Sequence, residues 1–201
     1  MFNEKNFLEK YINKLIFISL KILLKNEPMI FNEFLVRQAK VSEFKEIQYL
    51  IKQSVDTAKY QNINKVDYAV QLRKQESYIP SLELVAEREG KLLGHVMFSK
   101  AEVIANNGNK YETLFLDPIS IRHDGLEFGV CKALLNNSSQ LAADMGYKSM
   151  FVYGDLKVFH DFGFRPANLW NICNDKMDCK LILAKELRAN ALSQISGQLC
   201  I

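Results

Sequence analysis

A chain of 201 residues is of a size to close around one hydrophobic core, and a 48% hydrophobic content agrees with a folded globule. The 26 Lys and Arg against 23 Asp and Glu leave a net charge of +3, too even a balance for a nucleic-acid footprint. The four cysteines, Cys131, Cys173, Cys179 and Cys200, show no CxxC spacing and no partnering histidine cluster; this argues against a metal site and reads as reduced, cytoplasmic thiols.

Residues 1–28 differ in kind from the rest of the chain: five Lys and three Glu supply +2 of the net charge. At about 100° per residue, Lys10, Lys14, Lys21 and Lys25 fall within an arc of roughly 60°, opposite Leu8, Ile12, Leu15, Ile16, Ile22 and Leu23. The pattern is that of a basic amphipathic helix. Lys21 breaks its apolar run and no small-residue cleavage site comes after it, so neither a membrane-spanning helix nor a cleaved signal is expected. Residues 1–33 therefore read as an arm, with three readings open for its helix at 7–25: packing on the domain, dimerisation, or peripheral contact with an anionic membrane. Pro28 suits a boundary, and Met29 an alternative start of the chain.

From Phe34 the pattern becomes regular, and one domain is expected over 34–188 with a tail over 189–201. "EFLVRQAK" reads as a strand. Ser42 can cap a helix whose apolar positions Phe44, Ile47, Leu50, Ile51, Val55 and Ala58 keep a 3.6 period. A second helix over 66–77 ends before Pro80. Strand signals come next at 82–89, 92–105 and 110–121, with a turn at Gly90-Lys91 and hairpin chemistry in "NNGN" at 106–109, which predicts an antiparallel meander. A helix over 130–145 stops at Gly146. Then come a strand at 147–155, a short helix at 156–162 closing on "FGFRP", and a last strand at 179–187.

A strand that feeds a glycine-containing loop and then a helix presents free N–H groups and the positive end of a helix dipole at one spot. "HDGLEFGVCKALL" is such a place, and Gly129 removes the side chain that would obstruct a phosphate. The order of elements, together with "LELVAEREGKLLGHVMFS", "LFLDPISIRHDGLEFGVCKALL" and "YGDLKVFHDFGFRPA", resembles the GNAT N-acetyltransferase superfamily over about residues 35–187.

The resemblance implies an α/β fold: a mixed, mostly antiparallel sheet of six to seven strands with helices on both faces and splayed, parallel fourth and fifth strands. It also implies acetyl-coenzyme A as co-substrate. The family's [QR]-x-x-G-x-[GA] pyrophosphate loop falls on Leu126, Glu127, Phe128, Gly129, Val130 and Cys131, of which only Gly129 fits strictly. Leu126 offers no polar side chain, Glu127 brings negative charge towards a diphosphate, and Cys131 is larger than Gly or Ala. None of these removes a backbone N–H. Lys132 offsets part of the Glu127 charge, and the pantetheine arm would pair with the backbone of Ile119, Ser120 and Ile121, where Pro118 helps to break regular pairing.

Acetyl transfer to an amine needs a proton acceptor for the amine and a proton donor for the leaving thiolate. The position at which many members of the family carry an acidic Tyr is Phe159, which cannot donate. Tyr153 at the end of the fifth strand is the substitute, and His95 and Asp155 are the candidate bases, with His160 and the pair His123-Asp124 nearby in sequence. Trp170 lies in a connection that often lines the family's acceptor pocket. The implied function is a cytoplasmic acyltransferase acting on an amine of a small molecule or a protein, with no metal and no nucleic acid. The altered loop and Phe159 leave a second reading open, that of a degenerate module that senses coenzyme A or binds another protein.

Overall fold

The computed structural model describes residues 29–31, 34–54, 64–126 and 129–201; the basic helix expected at 7–25 lies outside the described residues. Ten strands are found among these residues: β1 (Met29–Phe31), β2 (Phe34–Gln38), β3 (Leu84–Arg88), β4 (Lys91–Ala105), β5 (Lys110–Ile121), β6 (Ser149–Tyr153), β7 (Arg165–Pro166), β8 (Ile172–Cys173), β9 (Ile182–Glu186) and β10 (Gly197–Cys200). The helices are α1 (Phe44–Gln53), α2 (Lys65–Leu72), α3 (Val130–Asp144) and α4 (Leu156–Phe159).

The sheet runs β1-β2-β3-β4-β5-β6-β9-β7, and β10 joins β4 and β8 off that path. Pairing is antiparallel except for β5 with β6 and β8 with β10. Turn chemistry fixes the meander. Glu89 and Gly90, both at positive φ, form the two-residue link between β3 and β4, a conformation that suits the strands' twist. Gly108 at φ 84 turns β4 into β5, and the Asn107 carboxamide accepts the N–H of Asn109 at 3.0 Å.

Each face of the sheet carries its own cover. On one side Val96, Phe98, Leu114, Leu116, Met150 and Val152 pack under α3 and α4. On the other, Val85 and Met97 meet Ile47, Leu50, Ala69 and Leu72 of α1 and α2, and a neighbouring cluster gathers Phe115, Phe151, Leu192 and Leu199. Close approach of α3 depends on Gly94, since a Cβ there would stand 2.5 Å from Val130 Cγ1 and 3.0 Å from Ile121 Cδ1. The start of α3 is thereby held beside the end of β5.

Two expectations need correction. Residues 189–201 are no tail, because β10 pairs with β4 from Gly197–Ala105 to Cys200–Glu102, and Leu192 and Leu199 are core. The physical reason is the length of β4. β3 pairs only its Lys91–Val96 half, which leaves the backbone edge at Glu102–Ala105 for another strand. Nor are all four cysteines thiols: Cys173 and Cys179 are joined in a disulfide, their Cα atoms 5.2 Å apart. Cys131 and Cys200 are free, and burial pushes the Cys131 thiol up to about 11, as befits an inert interior residue.

Candidate functional site

β5 and β6 pair only over Leu114–Met150, Phe115–Phe151 and Leu116–Val152. One step further the strands part, and the residues facing each other across the opening by register are Asp117 and Tyr153. The cause lies on β5. Between the pairs Val96–Ile119 and Phe98–Leu116, two residues of β5, Asp117 and Pro118, stand against the single Met97 of β4. This is a bulge, and Pro118 has no N–H to extend a ladder. Ile119, Ser120 and Ile121 then pair with β4 alone, so their outer backbone edge takes no strand partner among the described residues.

The far lip belongs to β9. Tyr153 pairs with Ile182, and the Gly154 N–H donates to the Leu181 carbonyl at 2.8 Å. Asp155 caps α4, its carboxylate accepting the Lys157 N–H at 2.9 Å. The result is a wedge between two parallel strands, open at their carboxyl ends, where ligands of open α/β sheets gather.

The amino terminus of α3 stands at the wide end of this wedge. Gly129 caps the helix at φ 69, and a Cβ placed on it would meet nothing within 4 Å among the described residues. The first intrahelical bond runs from the Ala133 N–H to the Gly129 carbonyl at 3.0 Å, which leaves the N–H groups of Val130, Cys131 and Lys132 ahead of the ladder. Leu126 is exposed, while Glu127 and Phe128 lie outside the described residues. These features fit a coenzyme diphosphate: an approach that no described residue obstructs, a helix dipole, and a strand edge with no strand partner among the described residues leading away from it.

Of the candidate acids and bases, Tyr153 is half-buried at the narrow end of the wedge, against the cluster of Phe115 and Phe151. His95 is enclosed, with no part of its side chain exposed. Its Nε2 lies 2.9 Å from Glu83 Oε1, and its Nδ1 has no partner among the described residues. Glu83 is equally buried and also bonds both Arg73 and the Tyr78 hydroxyl. Burial pushes the Glu83 carboxyl up, but the hydrogen bonds of His95, Arg73 and Tyr78 outweigh it and hold the group at about 2. Burial in turn lowers His95, so the ring is neutral and donates from Nε2. Arg73 already supplies the positive charge that Glu83 needs, and its guanidinium stacks 3.9 Å from the Phe44 ring centroid.

Phe159 is core, its ring edge-on to Phe164 at 5.5 Å. His160 is exposed beside Asp161 at 3.3 Å. Asp124 is held at about 2 by Lys91 and Arg122, which commits it to a surface network.

Residues that were missed from the sequence converge on the bulge. Asp117 is bonded by Lys65 Nζ at 2.5 and 2.8 Å, and burial raises its carboxyl despite that ammonium. Lys65 opens α2, whose first turn is capped by the Asn64 side chain accepting the Val66 N–H at 3.1 Å. A carboxylate immediately before a strand-breaking proline was the available signal. A crevice of about 760 Å³, lined by Lys110, Tyr147, Lys148 and Gln194 among others, sits at the amino ends of β5 and β6, away from the wedge. Among the described residues no group of three or more His, Cys, Asp or Glu is arranged to hold a metal, and no helix is long and apolar enough to cross a membrane.

No family model matches the chain. It is 26% identical over 113 residues to the uncharacterized N-acetyltransferase YjhQ of Escherichia coli (strain K12), a match covering 56% of this chain and 62% of that protein. The chain thus spans less than two thirds of the curated relative. Among solved structures, a GNAT family N-acetyltransferase (YhbS) from Escherichia coli in complex with CoA superimposes with a TM-score of 0.72 at 19% identity, over 85% of this chain and 91% of the other. A GNAT family acetyltransferase from Brucella melitensis in complex with acetyl-CoA gives 0.66 at 18% identity, over 85% and 97%.

Proposed function

We infer that this chain, which has the fold of the GNAT N-acetyltransferase superfamily, transfers the acetyl group of acetyl-coenzyme A to an amine of a small molecule or a protein. One observation carries the reading: β5 leaves β6 at Asp117 and points its unpaired edge towards the open amino terminus of α3. The coenzyme supplies an activated acyl group. The chain supplies main-chain N–H groups at Val130, Cys131 and Lys132 for the diphosphate, and the edge of Ile119, Ser120 and Ile121 for the amides of the pantetheine arm.

The proton chemistry belongs at the narrow end of the wedge. Asp117, raised by burial, is the carboxylate suited to take the proton of an incoming ammonium. Tyr153 faces it by register and is the hydroxyl suited to protonate the departing thiolate. Asp155, two residues beyond Tyr153, shapes the mouth as the cap of α4. His95 has no part in this scheme, because its sealed ring is committed to Glu83.

Thermal melting with and without acetyl-coenzyme A tests the donor site. Ligand at 100 times its dissociation constant adds about 2.7 kcal/mol to stability, and no shift at millimolar coenzyme removes the reading. Thiol release with a panel of amines then tests turnover. A shift without thiol release favours the second reading, a coenzyme-sensing or protein-interaction module, for which Leu126 and Phe159 at two expected polar positions speak.

A further inference from the structure

Lys65 is placed as an acceptor would be. Its ammonium sits on both oxygens of Asp117, at 2.5 and 2.8 Å, with side-chain exposures of 23% and 14% for the two residues. Its Nζ also lies 5.9 Å from the centroid of the Tyr68 ring, one turn along the same helix. Asn64 caps α2 and so fixes where the lysine starts. Asp117 is the bulge residue at the apex of the wedge. A coenzyme whose diphosphate rests at Gly129 and whose arm follows Ile121, Ser120 and Ile119 brings its acyl end to this apex. A primary amine, a carboxylate and the end of that edge thus meet at one place.

We propose that the chain acetylates its own Lys65. The inference rests on the donor site argued above. The Lys65 ammonium gives one proton to the Asp117 carboxylate, and the freed nitrogen pair attacks the thioester carbonyl. A C–N bond forms, the C–S bond breaks, and the sulfur leaves as thiolate and takes a proton from the Tyr153 hydroxyl, which the proton held by Asp117 then restores. The products are an acetyl-lysine, free coenzyme A thiol and the second ammonium proton, released to water. Acetylation removes the charge at position 65 and so leaves the Asp117 carboxylate without its cation. An external ammonium can then take that place, which makes the modified chain the form ready for a cationic acceptor.

The test incubates the full chain with acetyl-coenzyme A carrying a labelled acetyl group and follows label by intact mass and peptide mapping, with melting curves recorded in parallel. Lys65 is expected to gain label at least tenfold faster than the exposed Lys52 and Lys176. Asp117→Asn should slow labelling of Lys65 at least tenfold, and Lys65→Arg should leave only the slow background. If the coenzyme raises the melting temperature but Lys65 labels no faster than Lys176, self-acetylation is overturned and the donor site stands. If the coenzyme gives no shift, both fall. Without coenzyme, Lys65→Gln and Asp117→Asn should each lower the melting temperature and together lower it by less than their sum, because both break one pair. Fully additive losses would overturn the pairing on which the proposal depends.

Discussion

Phe159 lays the edge of its ring on the bare Cα of Gly154: a Cβ there would stand 2.6 Å from Phe159 Cε2. The two residues thus hold α4 against the end of β6, and through Gly154 they hold the lip that carries Tyr153 and Asp155. Gly154→Ala is expected to cost about 1–3 kcal/mol, as overpacking does, and to lower the melting temperature by several degrees. Phe159→Tyr should not raise activity, since the ring is 3% exposed and its new hydroxyl would be buried against Phe164. Chemical denaturation of both variants, with thiol release for the second, decides the matter; a gain in turnover from the tyrosine would mean that the ring reaches the wedge.

The Glu83–His95–Arg73 network makes stability depend on acid. Glu83 titrates at about 2 in the folded chain against 4.5 for the unperturbed group. A depressed carboxyl contributes stability that is present above 4.5 and is lost as pH falls through 2; the shift amounts to about 3 kcal/mol. His95, lowered by burial, acts in the same direction: neutral in both states above its ordinary 6.5, it opposes folding as pH falls below that value and the unfolded chain takes up the proton. Urea denaturation at pH 7, 5 and 3.5 should therefore show falling stability. Glu83→Gln should flatten the lower part of that profile while costing about 3–5 kcal/mol at pH 7, because Arg73 is left as an uncompensated buried charge.

The features legible in the sequence obey local rules. The GNAT resemblance and its mixed sheet were legible because turn chemistry, apolar period and the Gly129 loop all lie within short windows of the chain. The strand at 110–121 has the expected bounds for the same reason. The ten strands among the described residues exceed the six or seven expected because the additions are mostly short: β7 and β8 have two residues each. β10 was hidden because its strand character comes from an edge of β4 more than ninety residues earlier in the chain. Asp117 and Lys65 are separated by 52 residues, and no local pattern joins them. His95 looked eligible as a base because sequence gives the residue type but not its burial.

The disulfide between Cys173 and Cys179 closes a short loop just before Leu181, whose carbonyl holds Gly154. Chain-entropy reasoning assigns a loop of this length about 2 kcal/mol. Cys173→Ser should lower stability by that amount under oxidising conditions and have little effect in the presence of a reductant. Equal stability of the two proteins without reductant would show that the bond does not form in solution.

Gly129→Ala separates folding from coenzyme binding. The residue sits at φ 69, where an L side chain costs about 1–2 kcal/mol, yet a methyl group there touches nothing within 4 Å among the described residues. The fold should survive with a modest loss in melting temperature. The same methyl group enters the space through which a diphosphate must approach the N–H groups of Val130, Cys131 and Lys132, so the coenzyme-induced thermal shift should shrink or vanish. Isothermal titration of both proteins with acetyl-coenzyme A gives the magnitude; a weakening of at least tenfold is expected, about 1.4 kcal/mol. Unchanged affinity would mean that the diphosphate is held elsewhere, and the wedge between β5 and β6 would then lose its assignment as the donor groove.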